Sequence, residues 1–325
     1  MTLAPRENPV LIGHGAVEAV FEDAVVAGRV HHAWLLTGPA GVGKATLAYR
    51  FARRLLAQGD PNDPGNPVFR RIAVGSHADV LTLEREFNEK TKKMKTGIAV
   101  EQTRDVTGFM HLTPAEGGWR VVIVDGAEDM NTNAANALLK ILEEPPRRAI
   151  LFLTADAPGR LLPTIRSRCR RLQLNPLGDA DMAAAMRYLL PDMYDDGRGR
   201  LAAIAQGAPG RAVMLAEEGA VAIAALVQQM LEQAPGIPVT RMYEVAERAT
   251  KTETGFATFM TLLQTGVSEN VRRAARDRQA GWAARPLADW GEVWHALGRL
   301  QNETERFNLD KRTAIIAGLE LLSAQ

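Results

Sequence analysis

Only one cysteine, Cys169, occurs in 325 residues. No intrachain disulfide can form, and no multi-cysteine zinc cage is available. Long apolar runs are missing too: none reaches the ~18 residues expected of a membrane span. The chain opens Met1-Thr2-Leu3-Ala4-Pro5-Arg6-Glu7-Asn8 and turns polar at once, unlike a signal peptide. Nor is one sign of charge in excess. With 39 Lys and Arg against 38 Asp and Glu, the net charge is +1, so no global field draws the chain to nucleic acid or membrane. These absences lead us to expect a cytoplasmic protein without membrane contact. A 46% hydrophobic, 24% charged composition of this length suits a globular chain of two or three domains.

The first half alternates short apolar runs with amphipathic stretches. Ala33–Thr37, Val80–Leu83, Val121–Val124 and Ile150–Leu153 each read as a strand buried on both faces, the pattern of a parallel sheet covered by helices. Between them, Leu47, Phe51 and Leu55 recur every fourth residue, and Ala134, Leu138, Ile141 and Leu142 share a helical face that stops at Pro145-Pro146. Alternating strand and helix predicts an α/β domain. After about residue 175 the strand signal ends. Asp179–Leu190 and Arg198–Glu218 read as short helices around the turn Gly207-Ala208-Pro209-Gly210, and the rest is helical. Trp290, Val293, Trp294, Leu297 and Leu300 make one apolar stripe.

The strand ending at Thr37 runs into Gly38-Pro39-Ala40-Gly41-Val42-Gly43-Lys44-Ala45-Thr46 and then a helix. This strand, glycine-rich turn, lysine and helix form a P-loop: curled backbone N–H groups, the helix dipole and Lys44 would all face phosphate. ATP or ADP is the cofactor expected. The position after the lysine, which normally offers Mg²⁺ a hydroxyl, is Ala45; Thr46 lies ~100° further around the helix. Mg²⁺ is therefore expected only if nucleotide is bound. A second acidic signal is Asp125, which ends the strand Val121–Val124 as a metal-holding aspartate would. A water-polarising glutamate should follow it, but the next residue is Gly126, with Glu128 two further on. Positioning and charge stabilisation carry most phosphoryl-transfer catalysis, so these departures predict a hydrolysis-deficient site.

Three blocks then resemble one family: His31-His32-Ala33-Trp34-Leu35-Leu36-Thr37-Gly38-Pro39, Asn136 to Pro146 (NALLKILEEPP), and Ser167-Arg168-Cys169 after Leu161-Leu162-Pro163-Thr164-Ile165-Arg166. Together they are similar to subunits of the bacterial DNA polymerase III clamp loader. Lys-Ala and Asp-Gly in place of Lys-Ser/Thr and Asp-Glu make the chain look most like the delta-prime type. The resemblance covers about residues 8–215. It implies a P-loop AAA+ α/β domain (1–175), a small helical lid (176–218) and an all-α collar (219–325) that joins subunits into a ring. It implies partners as well: γ/τ and delta subunits directly, sliding clamp and primer–template DNA through the complex. The chain's function would be to support clamp loading during replication.

Residue by residue, the resemblance makes Arg168 an arginine finger acting in a neighbouring γ/τ site. Such a group is worth ~10³–10⁵ in rate. Thr154 falls at the sensor-1 position, Arg211 at the sensor-2 position, and Leu11-Ile12-Gly13-His14 where the family packs adenine. Gly38, Gly41, Gly43, Lys44, Thr46 and Asp125 complete the nucleotide site. Many relatives carry a four-cysteine zinc module in the stretch matching residues 58–77; here no cysteine occurs there, so no zinc is expected. Cys169 reads as a small buried hydrophobe, and His31 and His32 as packing or capping residues.

Basic clusters at Lys90–Lys95 and at Arg272, Arg273, Arg276 and Arg278 lack interleaved aromatics and read as surface charge. The competing reading is an autonomous ATPase of the γ/τ or another AAA+ type, which Ala45 and Gly126 disfavour. A small-molecule P-loop kinase would leave the Ser-Arg-Cys triplet and the helical C-terminal third unexplained. No carboxylate cluster resembles a two-metal polymerase site.

Overall fold

The structure, a computed structural model, describes residues 3–88, 93–94, 97–98, 100–116, 118–217, 220–252, 254–276 and 286–323. Of the lysine cluster only Lys93 and Met94 fall within these, and Arg278 lies outside them. The chain forms two compact units. The first comprises Met1–Pro191 with Gln206–Arg211, and the second Asp192–Ala205 with Ala212–Gln325.

The first unit runs α1 (Gly15–Val26), β1 (Ala33–Thr37), α2 (Lys44–Leu56), α3 (Pro67–Ala73), β2 (Val80–Leu83), β3 (Phe87–Asn88), β4 (Lys93–Met94), α4 (Val100–His111), β5 (Arg120–Val124), α5 (Thr132–Glu143), β6 (Ala149–Ala155), α6 (Pro163–Arg168), β7 (Arg170–Gln173) and α7 (Asp179–Leu189). Five strands make a parallel sheet of order β2-β5-β6-β1-β7, while β3 and β4 form a small antiparallel ribbon. The four apolar runs are strands as the sequence predicts.

Alternation along these strands sends side chains to two cores. Leu35, Val122, Val124, Leu151 and Leu153 meet Val106, Met110, Leu138, Ile141, Leu142 and Ile165 of the helices on one face. Trp34, Leu36, Val121, Ile123, Ile150 and Phe152 meet Phe21, Leu47, Phe51 and Ile72 on the other. Strands buried on both faces need such unbroken apolar sequence. Phe21 links α1 and α2 to the sheet: it stacks on Phe51 with ring centroids 4.0 Å apart and meets Trp34 edge-on at 5.2 Å. The helix that follows the P-loop is thereby fixed against β1.

The strand β7 is an addition to the sequence reading. Arg170-Arg171-Leu172-Gln173 has a single apolar residue, and Leu172 is the one side chain of the four that is buried. An edge strand needs no more, and its arginines protect the free edge against further pairing.

The second unit is helical: α8 (Asp195–Ala205), α9 (Pro209–Glu217, whose first three residues belong to the first unit), α10 (Ala220–Gln233), α11 (Val239–Ala249), α12 (Gly255–Arg276), α13 (Leu287–Phe307) and α14 (Lys311–Ser323). Met230, Val245, Phe256, Phe259, Leu263, Leu297, Ile315 and Leu319 form its core. Four members of the stripe on α13 face that core, but Trp294 is 41% exposed and corrects the sequence reading. It follows Val293 by one residue, about 100° around the helix, and falls outside the buried sector. No helix among the described residues is long and apolar enough to cross a membrane.

Candidate functional site

The loop after β1 turns on glycine. Gly38, Gly41 and Gly43 have φ of 153°, 77° and 114°, conformations that an L side chain rarely adopts. A Cβ on Gly38 would stand 2.4 Å from the Leu174 carbonyl oxygen, and one on Gly41 would stand 2.4 Å from the backbone nitrogen of Arg211. Both positions therefore demand glycine for conformation and for space. Gly43 precedes the first turn of α2, so the helix begins at Lys44 with its N-terminus at the loop.

Lys44 is only 6% exposed. Its Nζ donates to the carbonyl oxygens of Gly38 (2.9 Å) and Pro39 (2.8 Å) and pairs with the carboxylate of Asp156. A buried ammonium needs such partners. Ala45 and Thr46 are both half-buried in the first turn of α2.

Asp125 follows β5 beside this loop. Gly126 N–H donates to Thr154 Oγ1 (2.9 Å), and the Thr154 hydroxyl donates to Asp125 Oδ1 (2.6 Å). Thr154, 1% exposed on β6, thus joins the ends of two adjacent strands. Burial raises the Asp125 pKa above the ordinary carboxylate value, while the Thr154 hydrogen bond and the Lys44 charge pull it back. Glu128, in the turn after Gly126, accepts from the backbone N–H groups of Asp156 (2.6 Å) and Ala157 (3.1 Å). It anchors the loop that presents Asp156 to Lys44. Glu84, Asp125, Glu128, Asp129, Thr154 and Asp156 contribute to an open, mostly acidic pocket of about 770 Å³.

Two further segments reach the loop. His14, 4% exposed, has Nε2 2.9 Å from the carbonyl oxygen of Val42, and a Cβ on Gly43 would lie 3.7 Å from Leu11. Leu11 and His14 therefore lie beside the phosphate loop. From the other side Gly210 N–H donates to Gly41 carbonyl oxygen at 2.8 Å, which brings half-buried Arg211 against the loop. The structure thus assembles Gly38, Gly41, Gly43, Lys44, Asp125, Thr154 and the backbone of Arg211 around the carboxyl ends of β1, β5 and β6, with Thr46 in the first turn of α2. Looped amides, helix N-terminus and Lys44 suit phosphate. The donors for a metal ion are incomplete, since Ala45 carries no side-chain oxygen.

Arg168 is elsewhere. It ends α6, with Cys169 between it and β7, and its side chain is 35% exposed. Because β7 runs parallel to β1, Arg168 stands at the amino end of the strands, whereas the phosphate loop stands at the carboxyl end of β1. Its Nη2 donates to Glu143 Oε1 (2.8 Å) and Nη1 to the Thr164 carbonyl oxygen (3.1 Å). The neighbouring arginines are engaged locally: Arg170 lies over the Trp34 ring, and Arg171 donates to Thr37 and Gln173. Half-buried Cys169 packs against the core below α5, and burial pushes its thiol pKa up to about 12.

In the cysteine-free stretch 58–77, hydrogen bonds hold the loop. The Asn66 amide donates to the carbonyl oxygens of Gln58 (2.9 Å) and Asp60 (3.1 Å), while its Oδ1 caps α3 through Val68 N–H (2.9 Å). Among the described residues no group of three His, Cys, Asp or Glu is placed to hold a metal ion. His31 and His32 stack on each other at 4.4 Å, and His31 Nδ1 lies 2.8 Å from the Ala33 carbonyl oxygen and 3.2 Å from its backbone nitrogen.

Sequence reasoning missed three participants: Asp156, Gly210 and Glu143. Asp156, two residues beyond Thr154, was the most accessible, since an acid at a strand's carboxyl end beside a P-loop is an available partner for its lysine.

A family model described as DNA polymerase III, delta subunit, matches residues 13–178. The chain belongs to that family. It is 43% identical over 195 residues to the DNA polymerase III subunit delta' of Pseudomonas aeruginosa, across 58% of this chain and 56% of the relative. It is 36% identical over 194 residues to the delta' subunit of Escherichia coli, across 58% and 55% of the two chains. The tau subunit of Escherichia coli is 29% identical over 198 residues, 58% of this chain and 29% of that one. The matched stretch thus spans about half the length of its delta' relatives. A DNA polymerase III gamma-subunit-related protein of Thermotoga maritima superposes with a TM-score of 0.50 at 16% identity, over 95% of this chain and 99% of that structure, and supports the AAA+ fold. Within the family match lie the phosphate loop, Asp125, Thr154 and Arg168; Arg211 lies beyond it.

Proposed function

We propose that this chain is a delta-prime-like subunit of the DNA polymerase III clamp loader, supporting the loading of the sliding clamp onto primed DNA. Its partners are γ/τ and delta subunits; clamp and primer–template are met through the complex, and the work takes place in the cytoplasm. Residues 1–175, 176–218 and 219–325 serve as AAA+ domain, lid and collar. The P-loop takes ATP or ADP through Gly38, Gly41, Gly43 and Lys44, with Thr46, Asp125, Thr154 and Arg211 around it. Mg²⁺ is seated poorly because Ala45 replaces a hydroxyl, and the attacking water is not aimed because Gly126 replaces a catalytic carboxylate. No independent hydrolysis results.

One observation supports a role in trans above the others. Arg168 and the phosphate loop lie at opposite ends of adjacent parallel strands, separated by the four-residue length of β7, roughly 13 Å at 3.3 Å per residue. Open α/β sheets bind ligands beyond the carboxyl ends of their strands. An arginine at the amino end therefore serves a nucleotide held by another subunit. Lys44 differs, since it is enclosed at the phosphate loop of its own chain, bonded to Gly38, Pro39 and Asp156.

The test is an assembly of this chain with γ/τ and delta subunits carrying Arg168→Ala. ATP turnover by that assembly should fall by about 10³, the lower end of a finger's contribution, with assembly retained. Normal turnover would refute the proposed role.

A further inference from the structure

We infer that Glu143 is a positioning residue for Arg168, holding the guanidinium in the orientation in which it meets a neighbouring subunit's phosphate. The inference rests on the finger role proposed above and extends it to a second side chain. Glu143 is the last residue of α5, and Arg168 the last of α6. The two helices are packed rigidly together: Ile165, fully buried, shares a core with Leu138, Ile141 and Leu142. Their C-terminal residues are consequently held at a fixed separation, and the Nη2–Oε1 contact is 2.8 Å.

Neither helix needs this carboxylate. A negative charge at the last turn opposes the helix dipole, and a pair exposed to the extent of 35% and 50% adds little to folding. The contact does restrict the arginine. Arginine is long, with a large rotamer entropy, and its planar fork delivers bidentate hydrogen bonds only when aimed. Glu143 and the Thr164 carbonyl take one hydrogen from each terminal nitrogen. A guanidinium has five N–H donors, so three remain for an incoming phosphoryl oxygen. Two anchors on one edge thus fix the plane and leave the rest of the fork open. A finger aimed before its target arrives loses less freedom when it engages, which favours kcat over substrate affinity.

The experiment measures ATP turnover by the assembly with γ/τ and delta subunits, comparing wild type, Glu143→Ala, Glu143→Gln and Arg168→Ala. Glu143→Ala should lower kcat by about threefold to tenfold with KM and assembly unchanged, the scale of one unrestrained side chain. Glu143→Gln, which keeps length and acceptor, should recover most of the loss. If Glu143→Ala leaves kcat at or above wild type while Arg168→Ala is impaired, the positioning role fails and the finger stands. A loss that follows weaker assembly, at unchanged kcat per complex, also overturns positioning. If Arg168→Ala itself turns over normally, the underlying finger reading is what fails.

Discussion

Lys44 and Arg168 both carry a charge suited to phosphate, and the fold treats them in opposite ways. Lys44 is enclosed beside the carboxyl end of β1, where two backbone carbonyls and Asp156 satisfy it. Arg168 lies before the amino end of β7, about a third in solvent, with one carboxylate and one helical carbonyl as partners. Burial decides the difference. Inside a low-dielectric pocket an unpaired ammonium costs several kcal/mol, so its partners are obligatory; at the surface an ion pair is worth about 0–1 kcal/mol, so its partner aims the charge without being needed for folding. A charge held in that way, with donors left open, can be lent to another molecule.

This contrast makes graded predictions. The phosphate loop should be the intolerant region. Gly41→Ala places a Cβ 2.4 Å from Arg211 nitrogen at a φ of 77°, and should cost about 2–4 kcal/mol, read as a lowered urea midpoint. Asp125→Asn should act in the opposite direction at neutral pH, stabilising by roughly 1 kcal/mol because a desolvated carboxylate is relieved of its charge. Its pH dependence follows from the raised pKa. The folded state holds the Asp125 proton more tightly than the unfolded state, so wild-type stability falls as pH climbs from the ordinary carboxylate value of 3.8 through the raised one. Asp125→Asn should flatten that slope in a melting series across acidic pH. Glu143→Ala should change stability least, by about 0–1 kcal/mol, since its ion pair is exposed. A large loss there would erase the contrast between the regions.

Much of this was legible in the residues. Doubly buried strands announce themselves as Val121–Val124 and Ile150–Leu153, and the glycines of the loop need their type because of φ and close approach. The edge strand β7 was not legible: Arg170-Arg171-Leu172-Gln173 pairs through its backbone, which carries no side-chain signature. Trp294 escaped because a heptad-like stripe overstates the width of the buried face. Lys44, Asp125, Thr154 and Arg168 were each identifiable by motif. The partners of Lys44 and Arg168 were not, since Asp156 and Glu143 are brought near by strand order and helix packing and not by spacing along the chain. Residues 58–77 were readable for what they lack, but the hydrogen bonds of Asn66 that hold them arise from the loop's own turns.

The most direct measurement is steady-state ATP turnover by the purified chain with Mg²⁺, beside its Lys44→Ala variant. A pocket that grips phosphate without a metal-seating hydroxyl or a water-aiming carboxylate should hydrolyse no faster than that variant. Turnover clearly above it, abolished by Lys44→Ala, would show a working catalytic site and contradict the account.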